Sequence, residues 1–597
     1  MTIWLIVAYA FIFAILRKSS RGKNVLEPLI ISFLFLNIII YISTELFSIP
    51  HALNAVNIKL TWIMAALLSG MTWLLLPPRK QKIELDSRWS LPPNVSVGEI
   101  LLALGVLCIC LILLIKTVFS APFSNDALIY HLPRVMHWIQ DKTVVPYPTH
   151  ILRQLFNPPL SAYFQLHLYL LSGGDHLANF PQYISMLLGL CGVSLICALL
   201  GLNRAENLLA VFLAAYLPSG ILIAPTGLND YSVSLWVIGL VIYVLKYIEK
   251  NEIKNLIFAV TFLSLICLTK IHPLLIAAPF IAVLLLKTFS KKRSLILIIP
   301  VLLVLLIILC LIWTKINSAM NIIASNYVFS PFVQISFVHP KWGLFENIFR
   351  HLVTQSSFSK SDEDDPTNPL HTILMIFFLI YFLINKNKLS PLIQKYTTLL
   401  LSGTFLSFIV LKASIWTGRF HLPGYVLFCP LIALLIFRSR TLLLPSTLLM
   451  FICGTYIALF FSPKPLLGQT GIMQTPRRMQ ILTYDQYSSM FLEAAQDTTH
   501  SGCGQIGLIY KNNIYQREYI IWQTLIEGNP KFRLEHVNVD NASGSLDYPL
   551  GTFTPCAVIQ ATNERFTDTI QVKNNTLKLY KQYNRFVGLY LLDKKGF

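Results

Sequence analysis

Leu160-Ser161-Ala162-Tyr163-Phe164-Gln165-Leu166-His167-Leu168-Tyr169-Leu170-Leu171 is an apolar run of about a dozen residues that carries two polar side chains, Gln165 and His167. A helix needs about 20 residues to cross roughly 30 Å of hydrocarbon, so this run is expected to lie at the membrane surface and not to span it. That reading decides the sidedness of everything after it. Candidate spans fall near 1–16, 25–47, 60–76, 99–119, 181–200, 207–224, 231–247, 255–270, 273–288, 294–313, 371–385, 396–411, 422–437 and 441–461, fourteen in all. With 160–171 left out of the count, the clusters around Arg17-Lys18, Arg79-Lys80, Arg204, Lys246, Lys291-Lys292-Arg293, Lys386 and Arg438 share one side, as cytoplasmic loops do. A crossing there would flip every later loop and break the rule.

Composition agrees with a mostly α, polytopic membrane protein. The chain has 597 residues, 55% of them hydrophobic and 13% charged, with a mean hydropathy of +0.62, too apolar for a soluble protein. The net charge of +19 sits largely in the inner loops, so it points to membrane lipids and gives no reason to expect nucleic acid. Residues 1–16 have no basic residue before them and are short for a span, so they make neither a good signal peptide nor a secure helix. The same arithmetic puts 120–180, Asn229-Asp230, Lys270-Ile271-His272, 314–370, 412–421 and the tail from 462 on the outer side, together with both termini.

Polar chemistry collects on that outer side. Ser124-Asn125-Asp126-Ala127-Leu128-Ile129-Tyr130-His131-Leu132-Pro133-Arg134 follows the run 99–119, with Arg153-Gln154-Leu155-Phe156-Asn157-Pro158-Pro159 a little further on. Asp126 offers a carboxylate near the headgroup plane, able to take a proton or orient a hydroxyl nucleophile; helix capping is the plainer use of the same residue. Tyr130, Arg134 and His137 follow at helical spacing, provided Pro133 falls in the opening turn. Asp230 opens another helix after Pro225-Thr226-Gly227-Leu228-Asn229 and faces the same compartment, again as a catalytic acid or as a cap. Arg419, in Thr417-Gly418-Arg419-Phe420-His421-Leu422-Pro423, stands at an outer helix start, where a guanidinium grips phosphate in bidentate fashion or snorkels to headgroups. Lys270, His272, Arg134 and Arg153 add positive or potentially positive charge.

The order of these parts resembles the integral-membrane glycosyltransferases of the GT-C superfold, in particular the bacterial protein-mannosyltransferase-like and aminoarabinose-transferase-like, or glycosyltransferase family 39-like, branch. In that family an early span leads into a large outer loop that opens with acidic residues. Asn125-Asp126-Ala127-Leu128-Ile129-Tyr130-His131 stands in that place, with Asn125 where the family pairs a second acid. The loop later carries a basic residue and Pro-Pro before an aromatic-containing helix. Arg153-Gln154-Leu155-Phe156-Asn157-Pro158-Pro159 matches this, although Asn157 stands where lysine is frequent, which shifts a phosphate contact to Arg153 or Arg134. Asp230 answers a further outer acid, and Gly418-Arg419-Phe420-His421-Leu422-Pro423 answers a late basic-aromatic signature. The resemblance covers roughly 99–461, with 1–98 as additional N-terminal helices and 462–597 as an added outer domain.

The resemblance implies an inverting sugar transfer from a polyprenyl-phosphate-linked donor to a lipid, glycan or protein acceptor, on the extracytoplasmic face of the inner or plasma membrane. Asp126 and Asp230 would be catalytic; Arg134, Arg153, Lys270, His272, Arg419 and His421 would bind substrate and its phosphate; Tyr130, His131 and Asn157 would line the site. Some relatives use a divalent cation, Mg or Mn. The chain has no His-x-x-x-His or Cys-x-x-Cys spacing, so no dedicated metal site is expected. A transporter would place ionisable groups within spans and repeat its halves, and a non-catalytic membrane subunit would explain the missing second acid and lysine.

Two features stand outside that scheme. Asp362-Glu363-Asp364-Asp365 reads as a solvated string. The tail alternates strand-like strings, 504–510 and 557–561, with polar helical stretches near 482–497 and 515–527, which suggests a small α/β domain. Its Cys503 and Cys556 either pair or lie buried as thiols, while the other eight cysteines sit in or beside apolar spans. Asn541-Ala542-Ser543 has the glycosylation-acceptor pattern, which arises easily by chance.

Overall fold

The computed structural model describes residues 2–19, 24–77, 95–289, 344–356, 366–414, 416–461, 464–484, 487–511, 516–528 and 531–592. The candidate span 294–313, the greater part of the loop 314–370 and the acidic string 362–365 lie outside the described residues. The first helices are α1 (Ile3–Ser19), α2 (Leu26–Ser48), α3 (Ala55–Leu75), α4 (Val97–Phe119), α5 (Leu132–Asp141), α6 (Arg153–Phe156), α7 (Leu160–Ser172), α8 (Phe180–Leu200), α9 (Arg204–Ala215), α10 (Pro218–Ile223), α11 (Asp230–Lys250), α12 (Ile253–Thr269) and α13 (Leu274–Phe289). Further helices run over Leu344–Ser356, Pro369–Asn385, Pro391–Val410, Thr417–Phe420, Leu422–Arg438 and Arg440–Phe460.

Hydrocarbon offers the backbone no partners, so long apolar runs close their hydrogen bonds within helices. Among the described residues seven helices are long and apolar enough to cross a membrane by length and composition: α2, α3, α4, α8, α11 and those at Pro369–Lys388 and Thr441–Phe460. Ile253–Thr269, Leu274–Thr288 and Leu422–Arg438 are shorter apolar helices. The run 207–224 is not one helix. It breaks after Ala215, and Pro218, which lacks an N–H to continue the ladder, opens α10.

The ends of α4 and α9 are fixed by capping boxes, Ser96 with Glu99 and Asn203 with Glu206. Arg204 then clasps Glu99 with Nη2 to Oε2 at 2.8 Å, tying the two starts together. The long helix α11 is the central post of the bundle, buried along most of its length. Gly239 lets it approach α12, since a Cβ there would come within 2.3 Å of the Phe262 ring. The post ends at Asp230.

Helix α7 has 13 residues, too few to span. It is buried inside the protein, with Gln165 and His167 both almost inaccessible. Thr44 of α2 lies 2.9 Å from His167 Nε2, Trp62 of α3 donates to its Nδ1 at 3.1 Å, and the Gln165 amide donates to the carbonyls of Ala178 and Gly227. The polar side chains that argued for the headgroup layer find their partners in protein instead.

The tail forms a six-stranded sheet in the order β2-β1-β3-β6-β5-β4. The strands are β1 (Gln505–Tyr510), β2 (Arg533–His536), β3 (Ala557–Ala561), β4 (Thr569–Val572), β5 (Asn575–Gln582) and β6 (Val587–Leu592). β1 is parallel to β2 and β3, and the remaining pairs are antiparallel. Helices Ser488–His500 and Glu518–Gly528 cover the sheet, and their apolar core is continuous with Leu128, Leu132 and Met136 of the 120–180 loop. Cys503 and Cys556 are joined in a disulfide, which settles the two alternatives left by the sequence. Asn541 donates to the Thr149 carbonyl at 2.8 Å, so its amide holds the domain against the loop.

Candidate active site

Four chain segments that are far apart in sequence meet at the Asp230 end of α11. Asp126 comes from the turn after α4, Asp230 from the first turn of α11, Lys270 from the end of α12, and Arg419 from the short helix Thr417–Phe420. Arg419 donates from Nη2 to Asp126 Oδ2 at 2.9 Å and from Nε to Asp230 Oδ2 at 3.4 Å, bridging the two carboxylates. Lys270 Nζ takes the other oxygen of Asp230 at 2.6 Å, and Arg153 Nη1 takes the other oxygen of Asp126 at 3.3 Å. Arg419 and Asp230 are buried, with side chains 3% and 1% exposed, whereas Asp126 is 17% and Arg153 is 42% exposed. The cluster therefore opens toward solvent on the Asp126 side.

Local sequence explains each placement. Gly418 lies so close to Pro366 that a Cβ would fall 1.8 Å from its carbonyl oxygen, and this contact seats the turn that carries Arg419. Pro423 stands in the first turn of the helix that follows. The Asp126 turn is a single π-helical turn over Ala127–His131, closed by Leu132 N–H to the Ala127 carbonyl. That wider turn changes the face expected from helical spacing. Asp126 faces Arg419, Arg134 turns to the carbonyls of Asn157 and Pro158 at 2.8 and 3.2 Å, and His137 turns to Glu518 at 2.9 Å.

The sequence candidates thus divide. Asp126, Asp230, Arg153, Lys270 and Arg419 form one ion-paired cluster. Tyr130 lies under the Arg153 guanidinium at 5.1 Å from the ring centre. His131 is fully buried, and among the described residues neither ring nitrogen has a hydrogen-bond partner. His272 packs on the Phe420 ring at 4.3 Å, and His421 reaches Ser407 and His351 at 3.3 and 3.4 Å. Arg134 and Asn157 brace the loop, Asn157 by its backbone carbonyl.

Charge decides what this cluster can bind. Two carboxylates stand against three cations, a formal excess of about one positive charge. Burial would raise the Asp126 carboxyl, but Arg419 and Arg153 beside it outweigh burial and hold it below the usual carboxylate range. Burial, followed by the Arg134 guanidinium, pushes His131 well below the ordinary imidazole value, so it is neutral. Such a cluster suits an anion with several oxygens. It does not suit Mg or Mn, because the carboxylate oxygens already face guanidinium and ammonium groups.

Residues 157–315 match the family model of dolichyl-phosphate-mannose-protein mannosyltransferases. The matched stretch includes Asp230 and Lys270, and it agrees with the GT-C resemblance. No curated protein sequence matches the chain. Among solved structures the chain is similar to that of ArnT from Cupriavidus metallidurans bound to undecaprenyl phosphate, at 12% identity and a TM-score of 0.49 over 83% of this chain and 98% of that one. It is also similar to the archaeal oligosaccharyltransferase AglB from Archaeoglobus fulgidus in complex with an inhibitory peptide and a dolichol-phosphate, at 10% identity and a TM-score of 0.40 over 77% and 69% of the two chains.

Sequence reasoning missed the residues that tie the C-terminal domain to this loop. Gln154, Glu518 and His536 are all buried at that contact. Gln154 was visible beside Arg153 in the Pro-Pro string, but Glu518 and His536 carry no local signal. Among the described residues His137, Glu518 and His536 form a grouping whose ligand-type atoms lie within 4.8 Å of one another. No sequence spacing could have announced it, because the three residues come from α5, the helix Glu518–Gly528 and β2.

Proposed function

We propose that the chain transfers a sugar from a polyprenyl-phosphate-linked donor to a lipid, glycan or protein acceptor on the extracytoplasmic face of the inner or plasma membrane, with inversion at the sugar carbon. The observation that carries this reading is the buried Arg419 bridge between Asp126 and Asp230, with Lys270 and Arg153 on the outer oxygens. The family-model match supports the donor class. The disulfide in the C-terminal domain supports its placement in an oxidising compartment. The division into residues 1–98, a catalytic region 99–461 and an outer domain 462–597 belongs to the same reading.

The bridge gives a mechanism. Donor phosphate oxygens compete with the carboxylates for Arg419, because a bidentate guanidinium–phosphate pair is a strong charge-assisted contact. As the guanidinium turns to phosphate, Asp126 loses the partner that most depresses its proton affinity and becomes a better base. The acceptor hydroxyl then attacks the anomeric carbon. A new C–O bond forms, the proton passes to Asp126, and the bond to the phosphate oxygen breaks with its electron pair leaving on polyprenyl phosphate. Arg419 and Lys270 stabilise the charge that grows on the departing group, while Asp230 holds both cations in place.

Reconstitution in proteoliposomes with a radiolabelled polyprenyl-phosphate sugar and candidate acceptors tests the reading. Label should move to acceptor and release polyprenyl phosphate. A correctly inserted protein that moves the donor across the bilayer without cleaving it would make the chain a transporter, and one that does neither would make it a non-catalytic subunit.

A further inference from the structure

The C-terminal domain meets the transfer site through apolar packing on the π turn and through a buried glutamate. Glu518, at the start of the helix Glu518–Gly528, is inaccessible to solvent and accepts four hydrogen bonds. Its Oε1 accepts from His137 at 2.9 Å and from Trp522 at 3.0 Å; its Oε2 accepts from Gln154 at 2.7 Å and from His536 at 3.2 Å. Gln154 in turn uses every polar atom it has. Its Oε1 accepts from Tyr147 and Thr149 at 3.0 and 3.1 Å, and its amide donates both to Glu518 and to the carbonyl of Ile129 at 3.2 Å. Ile129 lies in the π turn that follows Asp126, and Gln154 is the neighbour of Arg153, which pairs with Asp126. A short path of hydrogen bonds therefore runs from the domain to both sides of the Asp126–Arg153 pair.

We propose that Glu518 is a positioning residue of the transfer site, acting through Gln154 on the turn that carries Asp126 and on the helix that carries Arg153. The inference rests on the transferase reading above. It gives the added domain a task in the reaction, that of setting the base against the acceptor hydroxyl.

A metal centre is the competing use of His137, Glu518 and His536, and the geometry argues against it. Both carboxylate oxygens already carry two N–H donors each. The backbone N–H of His150 faces His536 Nδ1 at 3.4 Å, which makes that nitrogen an acceptor and leaves the proton on Nε2, the atom turned to Glu518. Burial would raise the Glu518 carboxyl and lower the His137 imidazole. The imidazoles around Glu518 nonetheless hold it well below the carboxylate range, and the Glu518 carboxylate holds His137 above its ordinary value. Both oxygens of Glu518 are thus satisfied within a hydrogen-bonded hub.

Steady-state kinetics of Glu518→Gln, Gln154→Met and the double variant test the proposal, with Asp175→Asn as the control. Asp175 also joins the loop to the C-terminal domain, accepting from Arg477 at 2.8 Å and from Tyr519 at 3.2 Å, and among the described residues it makes no hydrogen bond to the Asp126 turn. Mispositioning a reacting group by a fraction of an ångström to an ångström costs roughly tenfold to a hundredfold in rate. Glu518→Gln and Gln154→Met are expected to lower kcat by roughly tenfold with donor KM within about twofold, and the double variant to be no worse than either single one. Asp175→Asn is expected to lower the melting temperature and keep kcat within about twofold. Hydrogen exchange over 126–134 should quicken in Glu518→Gln and Gln154→Met and stay unchanged in Asp175→Asn, a readout independent of transferase activity. If exchange behaves so but wild-type protein transfers no sugar, the function reading fails and the linkage stands. Parallel loss of kcat and stability in all the variants, additive effects in the double variant, or a stoichiometric transition metal that is lost in Glu518→Gln would overturn the proposal.

Discussion

Arg419 is the residue whose removal should separate phosphate binding from general surface charge. Arg419→Ala takes a guanidinium that is 3% exposed away from two carboxylates at once. Breaking a buried ion pair by removing one partner costs about 3–5 kcal/mol when the remaining charge has no other partner. Here Asp230 keeps Lys270 and Asp126 keeps the half-exposed Arg153, so the stability loss should fall at or below about 3 kcal/mol. Catalysis should suffer more. A phosphate gains negative charge as the sugar departs, and loss of a preorganised donor at such a position costs roughly 10²–10³ in kcat. Arg419→Lys should recover only part of this, because one ammonium cannot span both carboxylates or grip two phosphate oxygens in parallel. The assay is donor-dependent transfer in detergent, with the melting temperature of each variant measured beside it. Lys388, exposed at the far end of the helix Pro369–Asn385, is the charge control and should leave turnover almost intact. A folded Arg419→Ala protein within about threefold of wild-type turnover would refute the bridge as the phosphate site and move that role to Lys270 or Arg153.

Asp126→Asn keeps the size of the side chain and removes the base, so turnover should fall by roughly 10²-fold or more while donor binding persists; near-normal transfer in a correctly inserted variant would remove Asp126 from the mechanism. For sidedness, a cysteine introduced at exposed Ser545 should react with an impermeant thiol reagent from outside, and one at exposed Ser390 only after the inner face is opened; Ser543 is unsuitable because it is buried. Burial, with Glu535 second, pushes the Asp141 carboxyl up to about 7. A raised folded-state value favours the native protein below about pH 4, and that advantage is lost as pH rises through 7, by an amount on the order of a few kcal/mol. Asp141→Asn should therefore flatten the fall in melting temperature between pH 4 and 7, and an unchanged slope would show that Asp141 is not its source.

Much of the helical fold was legible because hydrocarbon leaves the backbone little choice, and each apolar run among the described residues is helical, with 207–224 split at Pro218. Strands β1 and β3 of the tail were also readable, since 504–510 and 557–561 are short apolar runs between turn residues. Helix α7 was legible as a helix too short to span, but its burial was not, because length and two polar residues do not reveal whether their partners are lipid headgroups or protein carbonyls. The site was partly legible. Asp126, Asp230 and Arg419 stand at helix ends, where chain chemistry is visible, but which cation meets which acid depends on long-range packing. The π turn at Ala127–His131 moved Arg134 off the expected face and left Arg153 to reach Asp126. Glu518 was invisible because its partners come from four separate stretches, α5, α6, β2 and its own helix.

A structure of the protein with bound undecaprenyl phosphate is the most direct test of the central claim. The account expects the phosphate at the outer end of α11, its oxygens roughly 3 Å from the Arg419 guanidinium, with the Arg419–Asp126 contact lengthened and the Asp126 carboxylate turned toward the acceptor side. A phosphate seated away from Arg419, with the Asp126–Arg419–Asp230 bridge intact beside it, would contradict the account.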